Sequence, residues 1–472
     1  MNKNIKTIHF VGIKGVGMTP LSIIAKEAGF KVSGCDIDEQ FITDAPLKKA
    51  GIEPMLGFNK EHVENCDLLI TTGAHGGFDN IEVVRAKELG IPVWTQGEAV
   101  GKFMEGKIFK RTFEGVSIAG CHGKTTTTAM IATVLKENKL DPTFLIGTGD
   151  IPSLGSCGHF GKGKHFVVEA DEYATEPNYD KKPKFLWQKP KIGVITNIEF
   201  DHPDLYPSME SMRKAFFDFA NNIQESGILI ACLDDFETAR LIRDFKKNVI
   251  TYGFSKNANF YIDKVSIEPD RIFFWVNTKN ALLGEFLLNV TGRHNALNAL
   301  AAVISCLELG LSVENIKRGL SGFRGTKRRL EFIGNIPSGA ALYDDYAHHP
   351  TEIRKTLEAI KNAHPNKKIV CIFQPHTYSR TKSLFEQFIT SFSSAEVVIL
   401  VDIFPSSREN IDTSVSSRIL AQEVSKIHRD VLYMPKLEDV VKYIDQKNFD
   451  KDYVLVTMGA GDVYKIGKEL MR

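Results

Sequence analysis

The 472-residue sequence lacks any apolar run near the roughly 18 residues needed to cross a bilayer as a helix, which excludes that kind of membrane span. It also lacks a C-x-x-C pair. Its seven cysteines, Cys35, Cys66, Cys121, Cys157, Cys232, Cys306 and Cys371, lie far apart, which suits reduced thiols rather than a disulfide framework or a zinc motif. An excess of either charge is missing too. Fifty-nine Lys and Arg stand against 58 Asp and Glu, a net charge of +1, so no basic field draws the chain to nucleic acid and any anionic ligand must be held locally. No low-complexity tract or short-period repeat interrupts the text. The opening MNKNIKTIHFVG runs into a strand pattern rather than an apolar signal core, so a cytoplasmic location without membrane insertion is expected.

What is present is an ordinary globular composition, 43% hydrophobic and 25% charged, long enough for roughly three domains of about 150 residues. From Thr7 onward, short β-branched runs alternate with stretches at helical spacing, the pattern of βαβ units around a mainly parallel sheet. Three blocks separate. The first runs from IHFVG to IPVWTQ. The second opens at VSIAG and closes after HNALNALAAVISCLELG and SVENIKRGLSGF, with 257–289 reading as small β-hairpins. The third begins near Lys327 and repeats strand then helix through DYVLVTMGAG.

The strongest chemical signal is Gly120-Cys121-His122-Gly123-Lys124-Thr125-Thr126, set between the apolar run VSIA and the helix-prone TTTAMIATVLKENK. Glycines allow a tight turn whose N–H groups face a phosphate, Lys124 neutralises phosphate charge and Thr125 offers a hydroxyl to magnesium. The run is a nucleoside-triphosphate loop in shortened form, since Ile118 stands where the first glycine of G-x-x-x-x-G-K-[ST] would be. Downstream, HFVVEA delivers Glu169, Asp171 and Glu172 to one loop, and KIGVITNIEF delivers Asn197, Glu199, Asp201 and His202 to another. In a parallel sheet both loops open on the edge that carries the phosphate turn, where carboxylates hold Mg²⁺ against triphosphate oxygens. Near the start, Gly12, Gly15, Gly17 and Met18 follow strand IHFV, and Asp36 ends the next strand. That spacing sets a glycine turn under a diphosphate and an acid near a ribose, although its order differs from G-x-G-x-x-G.

Taken in order, GIKGVGM, GCHGKTTTTAM, EADE, TNIEFDHPD, GRHNALNALAA, GTKRRLEF, DDYAHHPTE, FQPHTYSRT and VTMGAGD resemble the ATP-dependent Mur ligases of bacterial cell-wall synthesis across nearly the whole chain. The resemblance implies a three-domain α/β fold: a Rossmann-like UDP-sugar domain over 1–108, a central P-loop ATPase domain with a mainly parallel sheet over 109–326, and a Rossmann-like domain for ATP and amino acid over 327–472. By position it implies ATP contacts from Gly120, His122, Gly123, Lys124, Thr125 and Thr126, with Asn295 reading adenine, Arg328 on the γ-phosphate and Asp345 near the nucleotide. Thr125 and Glu172 would hold one Mg²⁺ (or Mn²⁺) and Glu172 and His202 a second, and Gly12, Gly15, Gly17, Met18 and Asp36 would hold the UDP-sugar. His348, His376 and Arg380 would receive the amino acid, Arg380 as a bidentate fork for its carboxylate. Lys124, Glu172, His202, Arg328 and His348 are the implied catalytic set.

The implied reaction activates the lactyl carboxylate of UDP-N-acetylmuramate with ATP, as an acyl phosphate that L-alanine then attacks. The family further suggests a monomer or weak homodimer. Fixed cations are needed because two unit charges about 4 Å apart repel by roughly 4 kcal/mol at an effective dielectric of 20. Three stretches depart from the family pattern: Lys14 replaces a glycine, TTGAHGGFDN replaces a short serine-containing turn, and ATEPNYDKKPKFLWQ is insert-like, its YDKKPKF resembling the recycling ligase that adds a ready-made tripeptide. Lys14 stands either beside the diphosphate or in solvent. Beside these readings stand a nicotinamide-dependent oxidoreductase, which leaves GCHGKTT and GTKRRLEF unexplained, and a noncatalytic nucleotide-binding protein, which leaves Lys124, Glu172, His202 and Arg328 without purpose.

Overall fold

The structure, a computed structural model, describes residues 5–405, 409 and 411–472. In the first part of the chain, Met55–Leu56, Lys31–Asp36, Thr7–Val11, Leu68–Thr71 and Val93–Thr95 lie side by side in one five-stranded sheet, parallel throughout. Its inner strand Leu68–Thr71 is buried at every position, and Thr7–Val11 at all but the first. Burial on both faces is why these strands read as continuous apolar runs instead of alternating ones.

The middle sheet has ten strands. Glu114–Ala119 runs at its centre between His165–Glu169 and Ile192–Ile195, parallel to both. Ile228–Cys232 and Val249–Gly253 extend it in parallel, and Phe260–Ile267, Ile272–Thr278 and Leu282–Leu288 continue it as an antiparallel meander. The hairpins expected over 257–289 are therefore part of the main sheet, not a lobe of their own. Helices Lys124–Glu137 and Arg293–Glu308 bury their Ala, Ile, Val and Leu faces together against this sheet. Helix Met209–Asn221 covers the opposite face with Phe216 and Phe219.

The third sheet has six strands, with Glu331–Asn335 antiparallel at one edge and the other pairs parallel. Separate apolar clusters cover its two faces. The first and middle units share a core, in which Phe103 meets Phe109 at 4.9 Å and Phe109 meets Phe160 at 4.8 Å between ring centres. All seven cysteines are free thiols. Among the described residues no helix is long and apolar enough to cross a membrane.

Candidate active site at the edge of the middle sheet

Because Glu114–Ala119, His165–Glu169 and Ile192–Ile195 are neighbouring parallel strands, the loops that leave their C-terminal ends meet. The first loop turns at Gly120 and Gly123, with φ of 136° and 84°, and enters helix Lys124–Glu137. Space demands glycine as much as conformation does: a Cβ at Gly120 would sit 2.0 Å from Thr196 Oγ1, and one at Gly123 would sit 2.4 Å from Asn298 Oδ1. Asn197 clamps the turn, its Oδ1 accepting from the His122 N–H at 3.0 Å and its Nδ2 donating to the His122 carbonyl at 3.0 Å.

Lys124 Nζ donates to both oxygens of Glu172, at 2.9 and 3.1 Å, and to the carbonyls of Gly120 and Cys121. Burial alone would push this ammonium down, but Glu172 outweighs it and holds the lysine charged. Thr125 Oγ1 donates to Glu169 Oε2 at 3.0 Å, and Glu169 Oε1 accepts from the Gly147 N–H at 2.6 Å. His202 Nε2 stands 3.6 Å from Glu172 and 3.7 Å from Asp201. Thus Lys124, Glu172 and His202 form one chain of contacts at the edge where Thr125 stands, and the oxygen donors there, the Thr125 hydroxyl and the Glu172 carboxylate, fit Mg²⁺, with the His202 imidazole beside them. Glu169 holds Thr125 in this arrangement.

The third unit closes over this edge. Arg380 Nε donates to Asp201 Oδ1 at 2.9 Å, and its Nη1 lies 3.3 Å from His376 Nδ1. The fork expected to face an incoming carboxylate is thus engaged on its Nε side by a residue of the middle unit. His376 stacks on Phe404 and lies 6.1 Å from His348 between ring centres. Burial lowers both imidazoles, His348 to about 4. The arrangement puts neutral rings, rather than further cations, beside Arg380.

Two residues that the sequence reading did not single out organise this junction. Glu352, in the first turn of helix Pro350–Ala363, lies 3.2 Å from His122 Nδ1 and 3.5 Å from Arg329, and accepts from the His348 N–H at 3.0 Å. His122 Nε2 lies 3.3 Å from Glu199. Burial works against the His122 cation, yet Glu352 and Glu199 together raise it to about 9. The H-x-x-E capping box of His349 and Glu352 was the available signal for Glu352.

Arg329 is the other. Arg328, expected on the γ-phosphate, has φ of 56° and turns inward: its Nε donates to Asp344 at 3.0 Å and its Nη atoms to the carbonyls of Gly459 and Gly461. Arg329 instead lines a cleft of about 790 Å³ between the middle and third units. His122, Gly123, Thr126, Asn295 and Asp345 line the same cleft. Asn295 Nδ2 donates to the Thr291 carbonyl at 2.7 Å and its Oδ1 accepts from Asn298 at 3.1 Å. Asp345 accepts from the N–H groups of Leu330 and Ala347 and from Thr356 Oγ1, and burial raises its carboxyl to about 6.

The glycine turn of the first unit is set apart from this edge. Gly12 has φ of 73°, and a Cβ there would sit 2.6 Å from Thr72. Gly15 and Gly17 complete the turn, which leads through Met18 into helix Thr19–Glu27, where a Cβ at Gly17 would sit 3.0 Å from Gln96. Asp36 accepts from the Lys14 N–H at 2.7 Å and pairs with His75 at 3.4 Å, so its carboxylate braces the turn itself. The Lys14 ammonium is not left in solvent: it is tied to the carbonyls of Ile37 and Glu39 at 3.2 and 2.9 Å.

The two other departures pack on each other. ATEPNYDKKP forms a hairpin, Ala174–Glu176 against Asp180–Pro183. Its Tyr179 hydroxyl donates to Asp79 at 2.6 Å, and Gly73 and Gly77 leave no room for a Cβ against Pro177 and Glu176. Between them lies a cavity of about 360 Å³ lined by His75, Gly76, Tyr173, Asn178 and Lys181, among others. Tyr173 connects this cavity to the edge of the middle sheet, its ring 4.9 Å from that of His202.

Family comparisons agree with this architecture. Residues 7–108 match the model described as Mur ligase family, catalytic domain; 118–306 match Mur ligase middle domain; 328–461 match Mur ligase, glutamate ligase domain. The UDP-N-acetylmuramate--L-alanine ligase of Desulfitobacterium hafniense is 39% identical over 98% of this chain and 99% of its own. That of Clostridium acetobutylicum is 40% identical over 98% and 97%. Among solved structures, the UDP-N-acetylmuramate-alanine ligase of Thermotoga maritima is 28% identical, covers 98% of both chains and superposes with a TM-score of 0.81. A murein peptide ligase of Psychrobacter arcticus, 23% identical with a TM-score of 0.70 over 98% of both chains, shares the fold. On these matches, which span the whole chain, the protein belongs to the Mur ligase family.

Proposed function

We propose that this enzyme joins L-alanine to the lactyl carboxylate of UDP-N-acetylmuramate, converting ATP to ADP and phosphate, as a cytoplasmic step of peptidoglycan precursor synthesis. End-to-end similarity to relatives named for that reaction supports the reading. The observation that carries it is the meeting of Lys124, Glu172 and His202 with Arg380 and His376 at one sheet edge. In this reading the chain divides at 108/109 and 326/327 into sugar, nucleotide and amino-acid units.

ATP lies in the cleft with its triphosphate on the turn Gly120–Thr126 and its base toward Asn295. The sugar acid reaches the edge past Tyr173 from the cavity under the hairpin. Its carboxylate attacks the γ-phosphorus, the bond to ADP breaks and an acyl phosphate forms; the amino group of L-alanine attacks the carbonyl and phosphate leaves. Lys124 neutralises the transferred phosphoryl group, and Arg329, which faces the cleft, takes the part expected of Arg328. Thr125, Glu172 and His202 would hold Mg²⁺, which supplies charge neutralisation on the triphosphate. Arg380, with neutral His376 and His348 beside it, orients the amino-acid carboxylate.

Phosphate release from ATP, measured with each component omitted in turn, tests this. Release that requires both UDP-N-acetylmuramate and L-alanine, and is lost in Lys124→Ala, is the expected result. Release with the tripeptide but not with L-alanine would move the assignment to the recycling reaction, and release indifferent to the sugar acid would end it.

A further inference from the structure

Beneath the glycine turn of the first sheet lies a polar cluster that the ligase chemistry leaves unused. His9 stands on strand Thr7–Val11, Cys35 on Lys31–Asp36 and Glu82 in the first turn of helix Ile81–Glu88. All three are 0% exposed. His9 Nε2 and Cys35 Sγ each lie 2.9 Å from Glu82 Oε2, and the three ligand-type atoms fall within 4.8 Å of one another. Around Cys35 the core is aliphatic, with Val11, Val63, Leu69 and Val83. Burying a carboxylate, an imidazole and a thiol together in such a core is costly unless something compensates their charge.

The surroundings fix each donor. His9 Nδ1 is 2.9 Å from Ser33 Oγ, which leaves Nε2 directed at the cluster. Glu82 Oε1 accepts from the Asn59 N–H at 2.9 Å and lies 2.7 Å from His62 Nδ1. The His62 side chain is 18% exposed and forms the solvent side of the cluster.

We propose that His9 Nε2, Cys35 Sγ and Glu82 Oε2 form a structural site for a divalent transition metal of the zinc class, with the fourth position facing His62. Imidazole, thiolate and carboxylate in one set suit tetrahedral zinc, whereas magnesium and calcium select oxygen donors. On binding, the thiol loses its proton to solvent and the sulfur lone pair is donated to the ion, with no change of oxidation state. Burial and then Glu82 push the free thiol upward, a preference that a bound cation reverses. The ion would tie two strands and a helix together directly under Asp36, which braces the sugar-side turn. No short motif announces it, because Glu82 is 73 residues from His9 and 47 from Cys35.

Cobalt(II) titrated into tag-free, chelator-stripped full-length protein tests the site. The expected result is one equivalent bound with a thiolate-to-cobalt absorption band that zinc displaces. Cys35→Ser should lose the band, Cys121→Ser should keep it, and zinc should raise the thermal midpoint of the wild type but not of Cys35→Ser. Should Cys35→Ser fail to fold, Glu82→Gln serves instead, with binding weakened about tenfold or more. A wild type that shows no band, a band surviving in Cys35→Ser, or full affinity in folded Glu82→Gln would overturn the proposal and leave a plain hydrogen-bond network.

Discussion

Arg380 donates from Nε to Asp201 Oδ1 at 2.9 Å while both side chains are only 5% exposed, so a buried ion pair bolts the third sheet to the middle one. Removing one partner strands the other charge. Asp201→Ala should therefore cost about 3–5 kcal/mol, read as a lowered unfolding midpoint, and Asp201→Ala/Arg380→Ala should recover a large part of it. Arg380→Ala should also raise the KM for L-alanine far more than that for ATP. Additive losses in the double variant would show that the two charges are not coupled.

The neighbouring arginines Arg328 and Arg329 should separate stability from catalysis. Arg328 is enclosed by Asp344, Gly459 and Gly461, so Arg328→Ala should destabilise by about 3–5 kcal/mol. Arg329→Ala, at a half-buried side chain lining the cleft, should leave the unfolding midpoint nearly unchanged and lower kcat by roughly a hundredfold. Denaturation curves and steady-state rates on both variants check the pair, and the reverse pattern would return the phosphate role to Arg328.

Burial sets the pH dependence at Asp345. Its carboxyl is raised from 3.8 to about 6, so its contribution to stability is complete below the unfolded value and is lost as pH rises through the folded one. Between about pH 4 and pH 6 this group alone should cost the fold about 3 kcal/mol. Asp345→Asn should remove that part of the slope, measured as the wild-type minus variant difference in urea midpoints across the window. An unchanged difference would place the carboxyl at an ordinary value.

Hairpin and loop should act as one substrate-side element. Gly77 has φ of 53°, and a Cβ there would overlap Glu176 Oε1 at 1.9 Å, so Gly77→Ala must push the hairpin off loop 73–80. We expect the KM for UDP-N-acetylmuramate to rise about tenfold or more while the KM for ATP stays near wild type, because the cavity under the hairpin and the cleft proposed for ATP share no lining residue. Equal changes in both would show that the hairpin only supports the fold.

Legible in the residues alone were the strand, glycine turn and helix around Lys124 and the acidic loops beside them. Strand, glycines, Lys124 and helix are contiguous, and parallel strands bring Glu172 and His202 to the same edge by topology alone. Contacts between distant segments were decided only by tertiary packing. A left-handed residue at Arg328 chose which of two adjacent arginines enters the cleft, and the packing of the third unit on the middle one brought Glu352 to His122. Lys14 was captured by carbonyls more than twenty positions away, and His9, Cys35 and Glu82 met through the register of two strands and the seating of one helix. Local pattern carries periodicity and turn chemistry, whereas the direction of a side chain between packed elements depends on a backbone path that no short window contains.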